Sequence, residues 1–473
     1  MKSKSFNVVI VGGSGFWSES NHIPNLLALK KEISMLNVLA IRDPKNPYAT
    51  SPVERPQLHK LLKTYKPKWL CPGEAKVDNL DDLSTLHEDY HIDLMILACN
   101  PVLHFEYALW ALERNISIVC DKPLVVLANA ASDMSAAADI IPRYNRLLEA
   151  YKKARAQTSY LSFSLLLRRR SLPAFSLIRE RLKLVGDQYG AGVNHLNILS
   201  HNGIYKYPAE FRGRGAHDFS SGVGALSHTS YHYIDLFNWY LSAARGSIDF
   251  IVPRLTNITR AEDYLSSRGY ESLRMLNKHP VADDVLLAPH VLACEIDFSF
   301  SFGFFRKDGR KIGDGNFINN HTSFSPRTRE YHKGTTEPAN YSDGGRTSHL
   351  YIDIHQSGTQ NLQLIKNDIA FQPPEIQLRS RSHPMIKELE DAQVLFFEDA
   401  YNQTDHTLLD SLRVVIKSII EKKAIRRGLV VDIREDLSNV TLFAKFYQLI
   451  AENYANKMIP DVQHAISLEG LYK

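Results

Sequence analysis

Residues Phe6 to Phe16 read FNVVIVGGSGF, an apolar run broken only by Asn7 that passes straight into Gly12-Gly13-Ser14-Gly15. A nearly continuous apolar run of this kind is a strand buried on both faces, and glycines directly after it let the backbone turn sharply. A helix started from such a turn aims its free N–H groups back over the glycines, which is how a dinucleotide pyrophosphate is cradled. In this reading Gly12, Gly13, Ser14, Gly15 and Phe16 form the phosphate turn. Ser14 interrupts one register of G-x-G-x-x-G, and the other register, Gly13-x-Gly15-x-x-Ser18, ends in serine. The turn gains weight from Ser117 to Leu124 (SIVCDKPL), where an apolar strand ends in Asp121-Lys122-Pro123. That ending sets a lysine at the carboxyl edge of the sheet, where open α/β sheets bind their ligands.

Working outward, strand and helix signals alternate through the first part of the chain. Strands are expected at Phe6–Val11, Asn37–Ile41, Leu94–Ala98, Ile116–Cys120 and Tyr160–Leu165, with helical stretches such as Ile23–Ile33 and Phe105–Arg114 between them. This alternation predicts a doubly wound parallel sheet, a Rossmann domain over residues 1–165. The proline-rich segment Asp43–Glu74 reads as a surface excursion with a short helix around Gln57–Tyr65. From residue 166 to 473 the pattern changes. Glu295–Phe302 (EIDFSFSF) and His349–His355 (HLYIDIH) alternate strictly, as in a sheet with one wet face. A second α/β domain with a large, mostly antiparallel open sheet is therefore expected. Gly309–Tyr341, rich in Gly, Asn, Ser and Thr, reads as a long loop that covers or extends a site. Two apolar stripes near the C-terminus, one through Leu412, Val415 and Ile416 and one through Val440, Phe443 and Tyr447, read as helices facing a core or an interface.

Composition narrows the function classes. The 56 basic and 52 acidic residues leave a net charge of +4 over 473 residues, so no basic field recommends nucleic acid. The densest basic run, His59–Lys68, lacks an aromatic stacking platform and reads as a solvated helix face. The four cysteines are scattered without a CxxC pair, which excludes a disulfide framework or a thiolate metal site. No apolar run approaches the ~18 residues of a membrane helix, and the N-terminus lacks a hydrophobic leader. A cytoplasmic protein without membrane contact is expected.

Together these stretches resemble the glucose–fructose oxidoreductase, inositol dehydrogenase and rhizopine-catabolism (Gfo/Idh/MocA) family. The family's Glu-Lys-Pro motif resembles Asp121-Lys122-Pro123, and its T-P-N-x-x-H pattern resembles Cys99-Asn100-Pro101-Val102-Leu103-His104. Its G-G-A-x-x-D-x-G-x-H-x-x-D helix resembles Val223 to Asp235. The resemblance implies a nicotinamide-dependent oxidoreductase acting on a sugar, polyol or related hydroxyl compound, assembled as a homodimer or homotetramer. It implies that Cys99, Asn100, His104, Asp121 and Lys122 line the cofactor. It also implies that Lys122 holds the substrate oxygen and His232 exchanges the hydroxyl proton.

The helix that carries this histidine has its own logic. At about 100° per residue, His228, His232, Asp235 and Trp239 share one stripe, while Leu226, Tyr233, Leu236, Phe237 and Tyr240 face a core. Asp235, one turn beyond His232, is placed to orient its ring as the third member of a triad does. Where polyol-oxidising relatives carry an aspartate, this chain has His228, read as a substrate hydrogen-bonding group. Zinc on His228 and His232, with His217 and Asp218 upstream, is set aside because Thr229 replaces the glutamate of HExxH. At the end of the second strand Arg42 and Asp43 stand side by side. An acid there chelates ribose hydroxyls and an arginine takes the 2′-phosphate, so NAD is favoured with NADP as the alternative. Arg168-Arg169-Arg170 reads either as a solvated interdomain turn or, through Arg168, as a contact to an acidic or phosphorylated substrate. Two rival functions stay open on the same fold: a non-catalytic nucleotide-binding sensor and a redox-neutral NAD-dependent glycosidase.

Overall fold

The computed structural model describes residues 5–15, 17–72, 80–203, 219–267, 271–272, 287–323, 349–367, 375–398, 406–425 and 430–456. Six short apolar segments build the first sheet: β1 (Phe6–Val11), β2 (Leu36–Arg42), β3 (Lys68–Leu70), β4 (Leu94–Leu97), β5 (Ser117–Cys120) and β6 (Phe163–Leu165). They lie in the order β3-β2-β1-β4-β5-β6, all parallel. The strand order reverses between β1 and β4, and at such a switch, outside the carboxyl ends of the strands, open α/β sheets form their ligand crevice.

The second sheet has eight strands: β7 (His195–His201), β8 (Phe250–Arg260), β9 (Glu295–Phe305), β10 (Lys311–Asn320), β11 (His349–Gln356), β12 (Gln360–Asn367), β13 (Glu375–Ser382) and β14 (Ala392–Glu398). Their order is β14-β13-β12-β11-β7-β10-β9-β8, antiparallel throughout except for β7 against β10. Alternation gives this sheet one buried face. Phe298, Phe300, Phe302 and Phe304 of β9 point inward, where Phe300 stacks on Phe446 at 3.8 Å and Phe302 meets Phe237 at 4.6 Å. Those partners come from the helices Leu437–Ala455 and Tyr231–Ala243, which separate the sheet from the first domain.

Two expectations change. The stretch Gly309–Tyr341 is not loop throughout, since Lys311–Asn320 forms β10 between β7 and β9, and residues 324–348 lie outside the described residues. Its glycines are packing residues. A Cβ on Gly313 or Gly315 would lie 2.3 Å from the carbonyl oxygen of Asn194 or Leu196 on the neighbouring backbone. The chain also does not divide by sequence order. The helix His406–Ile420 buries Leu412, Val415 and Ile416 among Val8, Ile10, Leu26 and Leu29 of the first domain. The following strand, β15 (Val431–Asp432), adds antiparallel to β6 and extends the first sheet. The excursion after Asp43 likewise supplies structure: its helix Pro56–Tyr65 packs Leu58, Leu61 and Leu62 on the same core, and β3 forms the edge of the sheet.

Candidate active site

At the end of β1 the backbone turns through Gly12 at φ +83°, and a Cβ there would lie 2.5 Å from the Ala98 carbonyl oxygen. Only glycine lets β1 and β4 end this close together. A Cβ on Gly13 would press on the Ile41 side chain at 2.7 Å, and one on Gly15 would stand 3.2 Å from the Gly12 carbonyl oxygen. Ser14 donates its N–H to Asp43 Oδ2 at 3.0 Å, and the other oxygen, Oδ1, accepts from the Lys45 N–H at 2.9 Å. Asp43 thus sits against the turn. Phe16 lies outside the described residues. The helix that follows opens with a wide turn, Ser18–His22, before Ile23–Glu32. A side chain at these glycines would press on the protein around the turn, and a bare glycine turn before a helix fits a dinucleotide.

Arg42 does not serve that position. Its buried guanidinium donates from Nε to both oxygens of Asp82, at 3.3 and 3.1 Å, and from Nη1 to the Tyr107 hydroxyl. A carboxylate on the neighbouring helix thus holds the cation inside the fold.

The crevice floor is tied together beneath the lysine. His104 is fully buried, with Nδ1 2.9 Å from the Pro123 carbonyl and Nε2 3.3 Å from the Cys99 carbonyl, and burial pushes its imidazole pKa down. It joins the end of β4 to the turn after β5, and it holds backbone where a cofactor contact was expected. Asn100 accepts from the Val102 N–H at 3.2 Å and donates to Ser221 Oγ at 2.8 Å, linking this edge to the second domain. Asp121 accepts from Trp17 Nε1 at 3.2 Å and faces His22 Nε2 at the same distance. Lys122 donates from Nζ to the main-chain carbonyl of His228.

The helix carrying the two histidines starts with a wide turn, Leu226–Ser230, before Tyr231–Ala243. His228 turns its ring inward, with Nε2 3.1 Å from the Val223 carbonyl and the ring plane within 8° of Phe219 at 6.0 Å. His232 is the contrasting case. Burial, then the positive charges of Lys122, Arg169 and Arg168, hold its imidazole well below the ordinary histidine range, so the ring is neutral. Its Nδ1 is buried with no hydrogen-bond partner among the described residues. The expected His232–Asp235 pair is not formed. Asp235 accepts from Arg170 Nε at 2.9 and 3.1 Å and from Asn439 Nδ2 at 2.8 Å. A full positive charge in forked geometry outcompetes a neutral imidazole for a carboxylate.

The arginine run is not a solvated turn either, because Arg168 and Arg169 are buried. Arg168 donates to Asn21 Oδ1 at 3.3 Å and lies over the Trp17 ring at 5.1 Å. Arg169 donates to the Tyr233 hydroxyl at 3.1 Å and lies 4.4 Å from its ring centre. Among the described residues no cluster of His, Cys, Asp or Glu is placed to hold a metal, and His217 and Asp218 lie outside them.

Residues 6–140 match the Gfo/Idh/MocA model, described as an oxidoreductase family with an NAD-binding Rossmann fold. Over these residues, less than a third of the chain, the sequence is similar to that family. No curated protein matches the sequence. Among solved structures, levoglucosan dehydrogenase in complex with NADH and levoglucosan superposes with a TM-score of 0.56 at 12% identity, over 96% of this chain and 98% of that one. An oxidoreductase domain protein from Kribbella flavida gives 0.57 at 14% identity, over 96% and 98%. The WlbA dehydrogenase from Bordetella pertussis, in complex with NADH and UDP-GlcNAcA, gives 0.52 at 12% identity, over 96% and 97%. At these identities the likeness is one of fold, and it spans both domains.

Several residues around the site carry no local sequence signal for their role. Glu295, at the start of β9, accepts at Oε1 from the N–H groups of Gly224 and Leu226 and from the Tyr447 hydroxyl, each at 3.0 Å. It grips the start of the histidine helix, and its burial pushes the carboxyl up to about 7. Asp436 is also raised to about 7 by burial, and it accepts from Tyr231 at 2.6 Å and Asn439 at 2.7 Å. Glu295 is polar inside an apolar stretch, which was the one available signal, and most partners of the two carboxyls are remote in sequence.

Proposed function

We propose that this chain is an NAD-dependent dehydrogenase that oxidises a hydroxyl-bearing carbon of a sugar or polyol. The observation that carries the reading is His232: a neutral imidazole with an unpartnered buried nitrogen, held within the field of Lys122 at the carboxyl edge of a nucleotide-binding sheet. A neutral ring accepts a proton, and positive charge beside it opposes protonation until a substrate proton is transferred.

Gly12, Gly13, Ser14 and Gly15 seat the pyrophosphate, and Asp43 takes the adenosine ribose. The bound nicotinamide supplies the hydride acceptor. Lys122, its ammonium fixed at the sheet edge by the His228 carbonyl, hydrogen-bonds the substrate oxygen and stabilises the alkoxide that forms as the proton leaves. His232 takes that proton. Asp235 serves the site indirectly, by neutralising Arg170 under the helix. A cytoplasmic location and a homo-oligomer go with this reading. Four free cysteines, two of them buried, suit a reducing compartment.

The test is NAD reduction, followed by absorbance, across a panel of sugars, sugar acids and polyols. Turnover with one of them that disappears in His232→Ala, while NADH still binds, is the expected result. One observation favours the sensor as a second reading: among the described residues no carboxylate orients His232. Tight NADH binding with no turnover on any member of the panel would move the conclusion there.

A further inference from the structure

The fold separates the acids from the cations around His232. β5 and β6 pair in parallel with Cys120 beside Leu165, so Lys122 and the pair Arg168 and Arg169 follow the carboxyl ends of neighbouring strands. Nearby carboxylates are committed elsewhere. Asp121 meets Trp17 and His22, Asp235 is held by Arg170 and Asn439, and Glu295 accepts from Gly224, Leu226 and Tyr447. At position 228 an imidazole is turned to the Val223 carbonyl and the Phe219 ring. The charges that act on His232 are those of Lys122, Arg169 and Arg168.

Arg169 is the clearest case. It is 9% exposed, and its contacts are neutral: Nη2 donates to the Tyr233 hydroxyl at 3.1 Å, and the guanidinium lies 4.4 Å from the Tyr233 ring centre and 5.8 Å from that of Phe175. Its Nε is buried without a hydrogen-bond partner, and no carboxylate pairs with it among the described residues. Taking a cation out of water is costly unless an anion or a full set of acceptors meets it. A neutral sugar or polyol presents hydroxyls that both give and take hydrogen bonds, so a site for one supplies acceptors as well as donors. Lys122, Arg168 and Arg169 supply donors only.

We propose that the substrate of this site is an anionic sugar or polyol, one bearing a carboxylate or a phosphate, and that Arg169 receives that group while Lys122 and His232 act on a hydroxyl of the same molecule. The proposal rests on the dehydrogenase reading of Lys122 and His232. The planar, forked donors of a guanidinium match the oxygens of a carboxylate and of a phosphate alike.

The test pairs each neutral sugar and polyol of the turnover panel with its carboxylate and its phosphate. All are titrated by calorimetry into the full-length protein saturated with NADH, so binding is read without turnover. An anionic member should bind at least ~10-fold tighter than its neutral parent, and added salt should weaken it more. The carboxylate and phosphate arms tell which anion is preferred. Arg169→Gln should weaken that member by ~10–100-fold, the usual worth of a charge-assisted hydrogen bond, and NADH by no more than about threefold. Arg169→Lys, which keeps the charge and loses the fork, should recover part of the loss and gives the readout if Arg169→Gln does not fold. Neutral members bound as tightly as anionic ones, or an anionic preference that survives both substitutions, would overturn the proposal. NAD reduction by a neutral member that is lost in His232→Ala would then leave the dehydrogenase reading standing. No binding and no turnover with any member would overturn both.

Discussion

Asp235→Asn distinguishes the partner a helix stripe suggests from the partner the fold supplies. The Asp235 side chain is 1% exposed and that of Arg170 is 15% exposed, so the pair is effectively inside the protein. Asparagine keeps the shape and one accepting oxygen but removes the charge. Arg170 is then left with Glu435, whose oxygen is 3.7 Å away and whose side chain is 32% exposed. Removing one member of a buried pair costs about 3–5 kcal/mol, and the remaining hydrogen bond and Glu435 return part of it. We therefore expect a loss of about 2–4 kcal/mol for Asp235→Asn, measured by urea unfolding. Trp239, 5.7 Å from the Arg170 guanidinium, makes tryptophan fluorescence a local probe of the same event. Arg170→Gln combined with Asp235→Asn should be less damaging than the two losses added, by about 1–3 kcal/mol, because no stranded charge remains. The pH profile of activity should not move, since His232 takes its low pKa from burial and from Lys122, Arg169 and Arg168. An unfolding midpoint unchanged by Asp235→Asn, together with a shifted pH profile, would refute this reasoning and restore Asp235 as the orienting group.

Three further outcomes are expected. His232→Ala should reduce turnover by ~10²–10⁴ with NADH binding retained, and in the parent the acid limb of the oxidation profile should lie well below pH 6.5; a limb at or above that value would show that His232 is not held neutral. Glu295, raised from 4.5 to about 7, keeps a proton in the folded state that the unfolded chain has released between those values. Its contribution is complete below about pH 4.5 and lost as pH rises through 7, on the order of 3 kcal/mol. Asp436, raised from 3.8 to about 7, acts with the same sign, so Glu295→Gln should remove roughly half of the fall in stability between pH 5 and 8; an unaltered slope would rule that out. Gly12→Ala should lower the melting temperature and abolish NADH binding, because its φ of +83° and the Ala98 carbonyl at 2.5 Å both exclude a side chain; NADH affinity at the parental level would contradict the cradle.

What the sequence made legible is what short-range pattern controls. Val8 to Val11 and Leu94 to Leu97 are apolar without alternation and lie in the middle of the parallel sheet. Phe298 to Phe304 alternate and form one buried face. Long-range partnership was not legible. β10 carries Gly313, Gly315, Asn316, Asn319 and Asn320, which is loop composition by any local rule, and its strand character comes from close backbone approach to β7. Asn319 is buried and bonded to Ser200 and Asn202, partners more than a hundred residues away. The site divides the same way. Helical spacing placed Asp235 beside His232, but the choice between His232 and Arg170 is electrostatic, and Arg170 lies 65 positions earlier.

The contacts around the crevice also tie the glycine turn to Lys122 and His232 in one unit. Trp17 and His22, in the first turns after the glycines, hold the Asp121 carboxylate. Asp121 precedes Lys122, whose ammonium reaches the His228 carbonyl at the head of the helix that carries His232. Arg168 closes the circuit by lying over Trp17 and donating to Asn21 in that same turn, while its charge lowers the basicity of His232. The side chains just after the glycine turn therefore also set the position of Lys122 and the electrostatic environment of His232. A second imidazole at position 228 is tolerated because its ring is turned to Val223 and Phe219, and its contribution to the lysine is a main-chain carbonyl that any residue there would provide.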